Sequence, residues 1–284
     1  MSHAPLAGKS ALVTGASRGL GEAVARQLWT AGASLALFAR DAAALDAVTL
    51  SLPPAAGQSA RAFPCDIGDF ASLDAAHAAA AAALGDLDVL VNNAAVQGPL
   101  GPMETLDFAA WRRVFDVDLF AAARLCQLVV PGMRRRGGGK IVNISGGGAT
   151  GPRPDVTAYA CAKTALVRLG ETLAEELRDA GIDVNGVSPG AMNTRMLEET
   201  LAAGPAGARR EYAAAAERKA KATGVPPDKA AELVVFLASP ASDGITGRLL
   251  SAVWDDWKSL PDRRDALAMS DVYTLRRITP DDRK

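Results

Sequence analysis

Seven short, mostly apolar runs, separated by longer stretches of helical periodicity, leave this chain few ways to fold. The runs are 10–13, 34–38, 61–65, 88–91, 140–144, 182–187 and 247–253. They are short for helices, and apolar on successive residues, as strands buried on both faces must be. Between them lie helical stretches at 19–31, 41–50, 70–84, 107–136, 156–180 and 226–237. The first carries Leu20, Val24, Leu28 and Ala31 as one stripe. Strands alternating with helices imply right-handed β-α-β units. The expectation is an α/β fold: a doubly wound, mostly parallel seven-stranded sheet with helices on both faces. Residues 1–253 read as one domain, since no linker or repeat divides them. Within it, about 195–225 is a loosely patterned, charge-rich segment suited to a substrate loop. Residues 254–284 read as a polar C-terminal tail with two tryptophans and no strong period.

Charge and composition exclude several function classes. Thirty-one basic residues against 32 acidic ones give a net charge of −1, with no general attraction to nucleic acid or to an anionic membrane. No apolar run reaches the length of a membrane span, and the start, Met-Ser-His-Ala-Pro, does not read as a targeting segment. Cys65, Cys126 and Cys161 are odd in number and widely spaced, which suggests neither a disulfide framework nor a zinc site. The expectation is a reduced, cytoplasmic protein without metal. His3 and His77 are the only histidines. His3 is near the terminus and His77 is in an alanine-rich run, so a histidine-based catalytic triad is not expected.

Two motifs carry chemistry. Thr14-Gly15-Ala16-Ser17-Arg18-Gly19-Leu20-Gly21 falls between the first run and the first helical stretch. Glycines there allow a tight turn and close approach of backbone N–H groups to a pyrophosphate, while the helix N-terminus favours its charge. The spacing is Gly-x-x-x-Gly-x-Gly rather than Gly-x-Gly-x-x-Gly, and a Rossmann-type nucleotide site is expected. The second motif is Tyr159-Ala-Cys-Ala-Lys163. Four apart on a helix, tyrosine and lysine share a face. A free phenol, with a pKa near 10, is a poor acid–base catalyst at neutral pH. A neighbouring ammonium favours the phenolate and lowers that pKa toward the working range.

Taken in order with Cys65-Asp66-Ile67, Asn92-Asn93-Ala94-Ala95 and Ser188-Pro189-Gly190-Ala-Met192-Asn-Thr194, these motifs resemble the short-chain dehydrogenase/reductase family, in its single-domain branch. The resemblance covers about 9–247. It implies an oxidoreductase with Gly15, Ser17, Arg18, Gly19, Leu20 and Gly21 at the phosphates. Asp66 and Ile67 would flank adenine, and Asn93 and Ala94 would line the ribose side. Pro189, Gly190, Met192 and Thr194 would hold the nicotinamide end. Tyr159 would protonate a carbonyl oxygen, and Lys163 would activate it and bind the nicotinamide ribose. Asn92-Asn93 also has a structural reading, as a tie between central strands. NAD-preferring relatives carry an acid where this chain has Ala39, followed here by Arg40. With Arg18, that favours NADP(H), although Asp41 could divert Arg40 by pairing with it.

At the chemical end the chain departs from the family in two places. The family's catalytic serine lies thirteen residues before the tyrosine, where this chain has Gly146, and the nearest hydroxyl is Ser145. Strand alternation would turn Ser145 away unless the backbone bulges. The family's asparagine that supports a water relay to the lysine is Asp118 here, in Trp111-Arg-Arg-Val-Phe-Asp-Val-Asp118. A buried carboxylate there would need a cation. Substrate choice should come from 195–225 and 96–103. Arg195, Arg209, Arg210, Lys219 and Lys221 are candidates to meet a substrate anion, against the reading that they are simply solvated. The expected activity is NADPH-dependent reduction of a ketone or aldehyde, reversible as alcohol oxidation. Reduction of an activated C=C bond, or a non-catalytic NADP(H)-binding sensor, remain as alternatives. The resemblance also implies a homodimer or homotetramer built on the helices at 107–136 and 156–180.

Overall fold

The computed structural model describes residues 4–283, so His3 lies outside it. Strands β1 (Ser10–Thr14), β2 (Ser34–Ala39), β3 (Ala60–Pro64), β4 (Val89–Asn92), β5 (Gly139–Ile144), β6 (Ile182–Ser188) and β7 (Leu249–Ser251) form one sheet in the order 3-2-1-4-5-6-7. Every pairing is parallel, from Ser10↔Ser34 in β1–β2 to Ser188↔Ser251 in β6–β7. The "mostly parallel" expectation is therefore met in full, and β7 is shorter than 247–253.

Alternate strand residues feed two cores, which is why the runs look continuously apolar. Ala11, Val13, Leu35 and Leu37 face helices α1 (Gly19–Thr30), α2 (Ala42–Ser51) and α9 (Pro227–Ala238). Leu12, Ala36, Phe38 and Leu90 face α3 (Phe70–Leu84), α5 (Ala121–Arg136) and α6 (Thr157–Leu177). Asp41, Asp69 and Asp107 start α2, α3 and α4 (Phe108–Phe115), their carboxylates accepting from first-turn amides. The stretch expected as one helix over 107–136 is in fact α4, a π-helical turn at Asp116–Phe120, and α5. Residues 195–225 fold as α7 (Arg195–Ala202) and α8 (Gly204–Lys221), with a non-helical backbone at Arg209 inside α8. No helix among the described residues is long and apolar enough to cross a membrane.

The segment after β7 is tied into the molecule. Trp257, Leu260 and Leu267 are buried in the α1–α2–α9 core, the last on the short α10 (Arg264–Ala268). Arg248, 7% exposed, donates to the carbonyls of Leu267, Ser270 and Val272 at 2.6–2.9 Å. The Leu249 amide donates to Tyr273 O.

Strand order reverses between β1 and β4. In open α/β sheets that switch point opens a crevice at the carboxyl ends of the strands.

Candidate active site

The crevice opens into a cavity of about 1570 Å³, lined by the glycine turn, the ends of β2, β4, β5 and β6, and helices α7 and α8. At the turn, Gly15 has φ +66°, and a Cβ there would lie 2.9 Å from Ala94 Cα. A Cβ at Gly21 would lie 2.1 Å from Gly15 O, so both glycines are needed for the close packing of strand, turn and helix. Gly19 faces open space, which leaves the N-terminus of α1 clear for a phosphate. Asn93 Nδ2 donates to Thr14 O at 2.8 Å, while the amides of Asn93 and Ala94 donate to Thr14 Oγ1. These bonds lock the ends of β1 and β4 together. Asn92 Nδ2 donates to Asn143 Oδ1 at 2.9 Å, tying β4 to β5.

Gly15, Ser17, Arg18, Gly19, Leu20, Gly21, Arg40, Asp66, Ile67, Asn93, Ala94, Pro189, Gly190, Met192 and Thr194 all line this cavity. Arg18 and Arg40 are exposed at its mouth, and among the described residues no ion pair or hydrogen bond engages either guanidinium. Asp41 does not divert Arg40, because its carboxylate caps α2 by accepting from the Ala44 amide at 3.0 Å. Asp66 accepts from Arg113 at 2.7 Å and from the Gly68 amide at 3.0 Å, which fixes this wall of the cavity. These residues fit a nicotinamide dinucleotide: an open phosphate cradle, a cavity beyond the size of a single small ligand, and, among the described residues, two unengaged guanidiniums at the mouth.

Tyr159 and Lys163 stand on the buried face of α6 and line the far part of the cavity. Lys163 is 1% exposed, donates to Ile144 O at 3.1 Å, and places its Nζ 5.7 Å from the Tyr159 ring centroid. Asp118 does not line the cavity. The π turn carries it inward to 1% exposure, where Oδ1 accepts from the Val96 amide at 2.8 Å. Its Oδ2 lies 3.6 Å from Lys163 Nζ, an ion pair rather than a hydrogen bond, so the buried carboxylate has its cation. Burial pushes the Asp118 carboxyl up to about 6, while Lys163 and the Val96 amide pull it down. For Tyr159, burial is the largest influence and raises the pKa well above the ordinary phenol value. The Asp118 charge adds to the rise and Arg153 opposes it. This reverses the lowering expected from a neighbouring lysine, and leaves Tyr159 a protonated donor at neutral pH.

Gly146 is packed against the reacting group. A Cβ at Gly146 would lie 2.1 Å from Tyr159 Oη and 2.9 Å from Cζ, so the phenol occupies the space a serine side chain would need. Ser145, which follows the end of β5, is 3% exposed, and its Oγ has no hydrogen-bond partner among the described residues. Ser145 lines the cavity but does not hydrogen-bond Tyr159.

Sequence reasoning passed over Arg153 and Glu211. Arg153, in the loop between β5 and α6, holds Glu211 of α8 through Nε (2.9 Å) and a second guanidinium nitrogen (2.6 Å). It also donates to Gly147 O at 3.2 Å and stands 5.6 Å from the Tyr159 ring centroid. Of the cations expected to meet a substrate anion, Arg195 lines the cavity but pairs with Glu199, Arg209 pairs with Asp155, and Lys221 pairs with Glu217. Arg209, Arg210, Lys219 and Lys221 do not line the cavity. His77 is half-buried on α3 and also lies outside it.

Comparison with known proteins agrees with this geometry. The family profile of short chain dehydrogenase matches residues 9–204. The 7alpha-hydroxysteroid dehydrogenase of Escherichia coli is 34% identical over 246 residues, spanning 87% of this chain and 93% of that one. Among solved structures, a blue fluorescent protein from a metagenomic library in complex with NADPH superposes with a TM-score of 0.75 at 33% identity, covering 87% of this chain and 97% of that one. The 3-ketoacyl-(acyl-carrier-protein) reductase of Brucella melitensis complexed with NADH also gives 0.75, at 30% identity, covering 89% and 99%.

Proposed function

The chain belongs to the short-chain dehydrogenase/reductase family, whose members use a nicotinamide cofactor, and we propose that this one is an NADP(H)-preferring carbonyl reductase, reversible as an alcohol dehydrogenase. The observation that carries this reading is a single cavity with the glycine turn and two unpaired guanidiniums at one end and Tyr159 with Lys163 at the other. When bound, the nicotinamide supplies the hydride that reaches the carbonyl carbon. Tyr159 gives its proton to the carbonyl oxygen, the C=O double bond becomes C–OH, and solvent later reprotonates the phenolate. In the free protein burial holds that proton on Tyr159, and neighbouring positive charge favours its release to the oxygen. Lys163 and Arg153 then stabilise the phenolate. Asp118 positions Lys163, and through the Val96 amide it also holds the loop after β4.

Arg18 and Arg40 support the choice of cofactor, since the 2′-phosphate of NADP(H) can accept charge-assisted hydrogen bonds that the 2′-hydroxyl of NAD(H) cannot match. Cofactor fluorescence titration tests it. Arg40→Ala should weaken NADPH by roughly tenfold or more while changing NADH little, and equal losses for both cofactors would refute the preference. The absence of a hydroxyl at Gly146 favours the second reading, reduction of an activated C=C bond. A panel of ketones, aldehydes and enones with NADPH separates the two. The small-molecule partner is thus a carbonyl compound or its alcohol. A homodimer or homotetramer remains the proposed assembly and the cytoplasm the proposed compartment. The stacked aromatics Phe108 and Trp111 on α4, with Phe108 61% exposed, support a subunit contact there.

A further inference from the structure

The Arg153–Glu211 pair lies inside the cavity rather than on the outer surface. Both side chains are mostly covered, at 24% and 19% exposure, and the contact is two-pronged, with guanidinium and carboxylate in the fork geometry this pairing favours. A third bond, to Gly147 O, fixes the guanidinium independently of Glu211. With its centre 5.6 Å from the Tyr159 ring, the guanidinium holds a carboxylate close to the group that protonates the substrate.

Glu211 comes from the least regular part of the molecule. Two residues before it, the backbone of α8 breaks at Arg209 (φ 44°, ψ −114°), and Arg209 is fastened to Asp155 at 3.3 Å. The helix is thus held on the near side of the break, and Glu211 starts the part beyond it. The cavity face of that part carries Ala214, Ala215 and Arg218. The alanines leave room, and the Arg218 guanidinium has no hydrogen bond or ion pair among the described residues. The cavity therefore holds the free guanidinium of Arg218 and, at Arg153, a guanidinium beside Tyr159 that is occupied by the Glu211 carboxylate.

We propose that Arg153 anchors a carboxylate of the substrate, with Glu211 holding its place in the free protein, so that the protein acts on oxo acids and the corresponding hydroxy acids. This rests on reading the cavity as a site of carbonyl reduction, and it specifies which carbonyl compounds enter. The substrate carboxylate takes the two guanidinium bonds from Glu211 while the Gly147 carbonyl keeps the arginine aligned. The substrate carbonyl is then held within a few bonds of the anchored group, against Tyr159.

Calorimetry on the full-length protein saturated with NADP⁺ tests this without turnover, and the bound cofactor keeps Arg18 and Arg40 occupied. The probes are 4-oxopentanoate and its methyl ester, which differ in charge at one end. The acid should bind roughly tenfold or more tightly than the ester. Arg153→Met should abolish that preference. Glu211→Gln removes the internal competitor and should strengthen binding of the acid by roughly tenfold while leaving the ester unchanged. Should Arg153→Met fail to fold, Glu211→Gln carries the test alone. Equal binding of acid and ester, a preference that survives Arg153→Met, no gain in Glu211→Gln, or no acid binding at millimolar concentration would each overturn the proposal. Failure of NADP⁺ itself to bind would instead strike the functional reading.

Discussion

Replacing Gly146 by alanine should cost this enzyme most of its turnover while leaving cofactor affinity intact. Gly146 does not have a positive φ, so its backbone accepts a side chain without strain. The penalty comes from contact alone. The added Cβ would meet Tyr159 Oη at 2.1 Å, Cζ at 2.9 Å and Cε1 at 3.0 Å. Tyr159 is 6% exposed and rides on the long helix α6, and since ring rotation leaves Oη in place, the side chain must swing about its Cα–Cβ bond to yield. To regain a 3.0 Å separation the hydroxyl must retreat by about 0.9 Å. A displacement on the order of 1 Å at a reacting group can cost about a hundredfold in rate, and overpacking of this kind costs about 1–3 kcal/mol in stability. Initial rates of NADPH oxidation with a reducible carbonyl, alongside fluorescence titration of NADPH, give both quantities. Gly151→Ala is the control, since a Cβ there meets nothing within 4 Å. Wild-type turnover in Gly146→Ala, with a melting temperature unchanged, would refute the claim that Tyr159 Oη acts from where it stands.

The buried Asp118 gives a pH signature. Its folded-state carboxyl titrates at about 6, above the ordinary 3.8. Its contribution to stability is thus fully present below about 3.8 and is lost as pH rises through about 6. Asp118→Asn removes that loss. Relative to wild type, the variant should gain stability between pH 4.5 and pH 7.5 in urea titrations, and a constant difference would contradict the burial argument. Arg248→Met should destabilise the protein by about 2–4 kcal/mol, because three carbonyls lose a charged donor. It should also expose 264–275 to protease, and unaltered proteolysis would show that the guanidinium does not hold this segment.

Much of this architecture is legible in the sequence because parallel strands covered on both faces must be apolar at successive positions, as in Ala11-Leu12-Val13 and Leu35-Ala36-Leu37-Phe38. The motif residues were legible for a local reason: glycine turn, Asn92-Asn93 and Tyr159-x-x-x-Lys163 each sit at the end of an element whose boundary the pattern marks. The π turn at Asp116–Phe120 leaves no mark in the sequence, because one extra residue shifts helical phase without lowering apolar content. The segment after β7 shows no period, as its buried Trp257, Leu260 and Leu267 sit on short 3-10 and α-helical pieces rather than on a long helix. Arg153 carried no signal either. It stands between Pro152 and Pro154, and its partner is 58 residues away. The role of Asp41 could have been read: an aspartate opening Ala42-Ala43-Ala44 is a helix cap before it is a partner for its neighbour.

Isotope transfer tests the central claim most directly. Wild-type protein, NADPH deuterated at the transferring position and a reducible oxo compound should yield an alcohol labelled at the carbinol carbon. Tyr159→Phe should lower kcat by about a hundredfold or more with NADPH affinity essentially unchanged. Label found instead on the β-carbon of an enone offered as substrate, or full turnover by Tyr159→Phe, would contradict a carbonyl reductase that takes its proton from Tyr159.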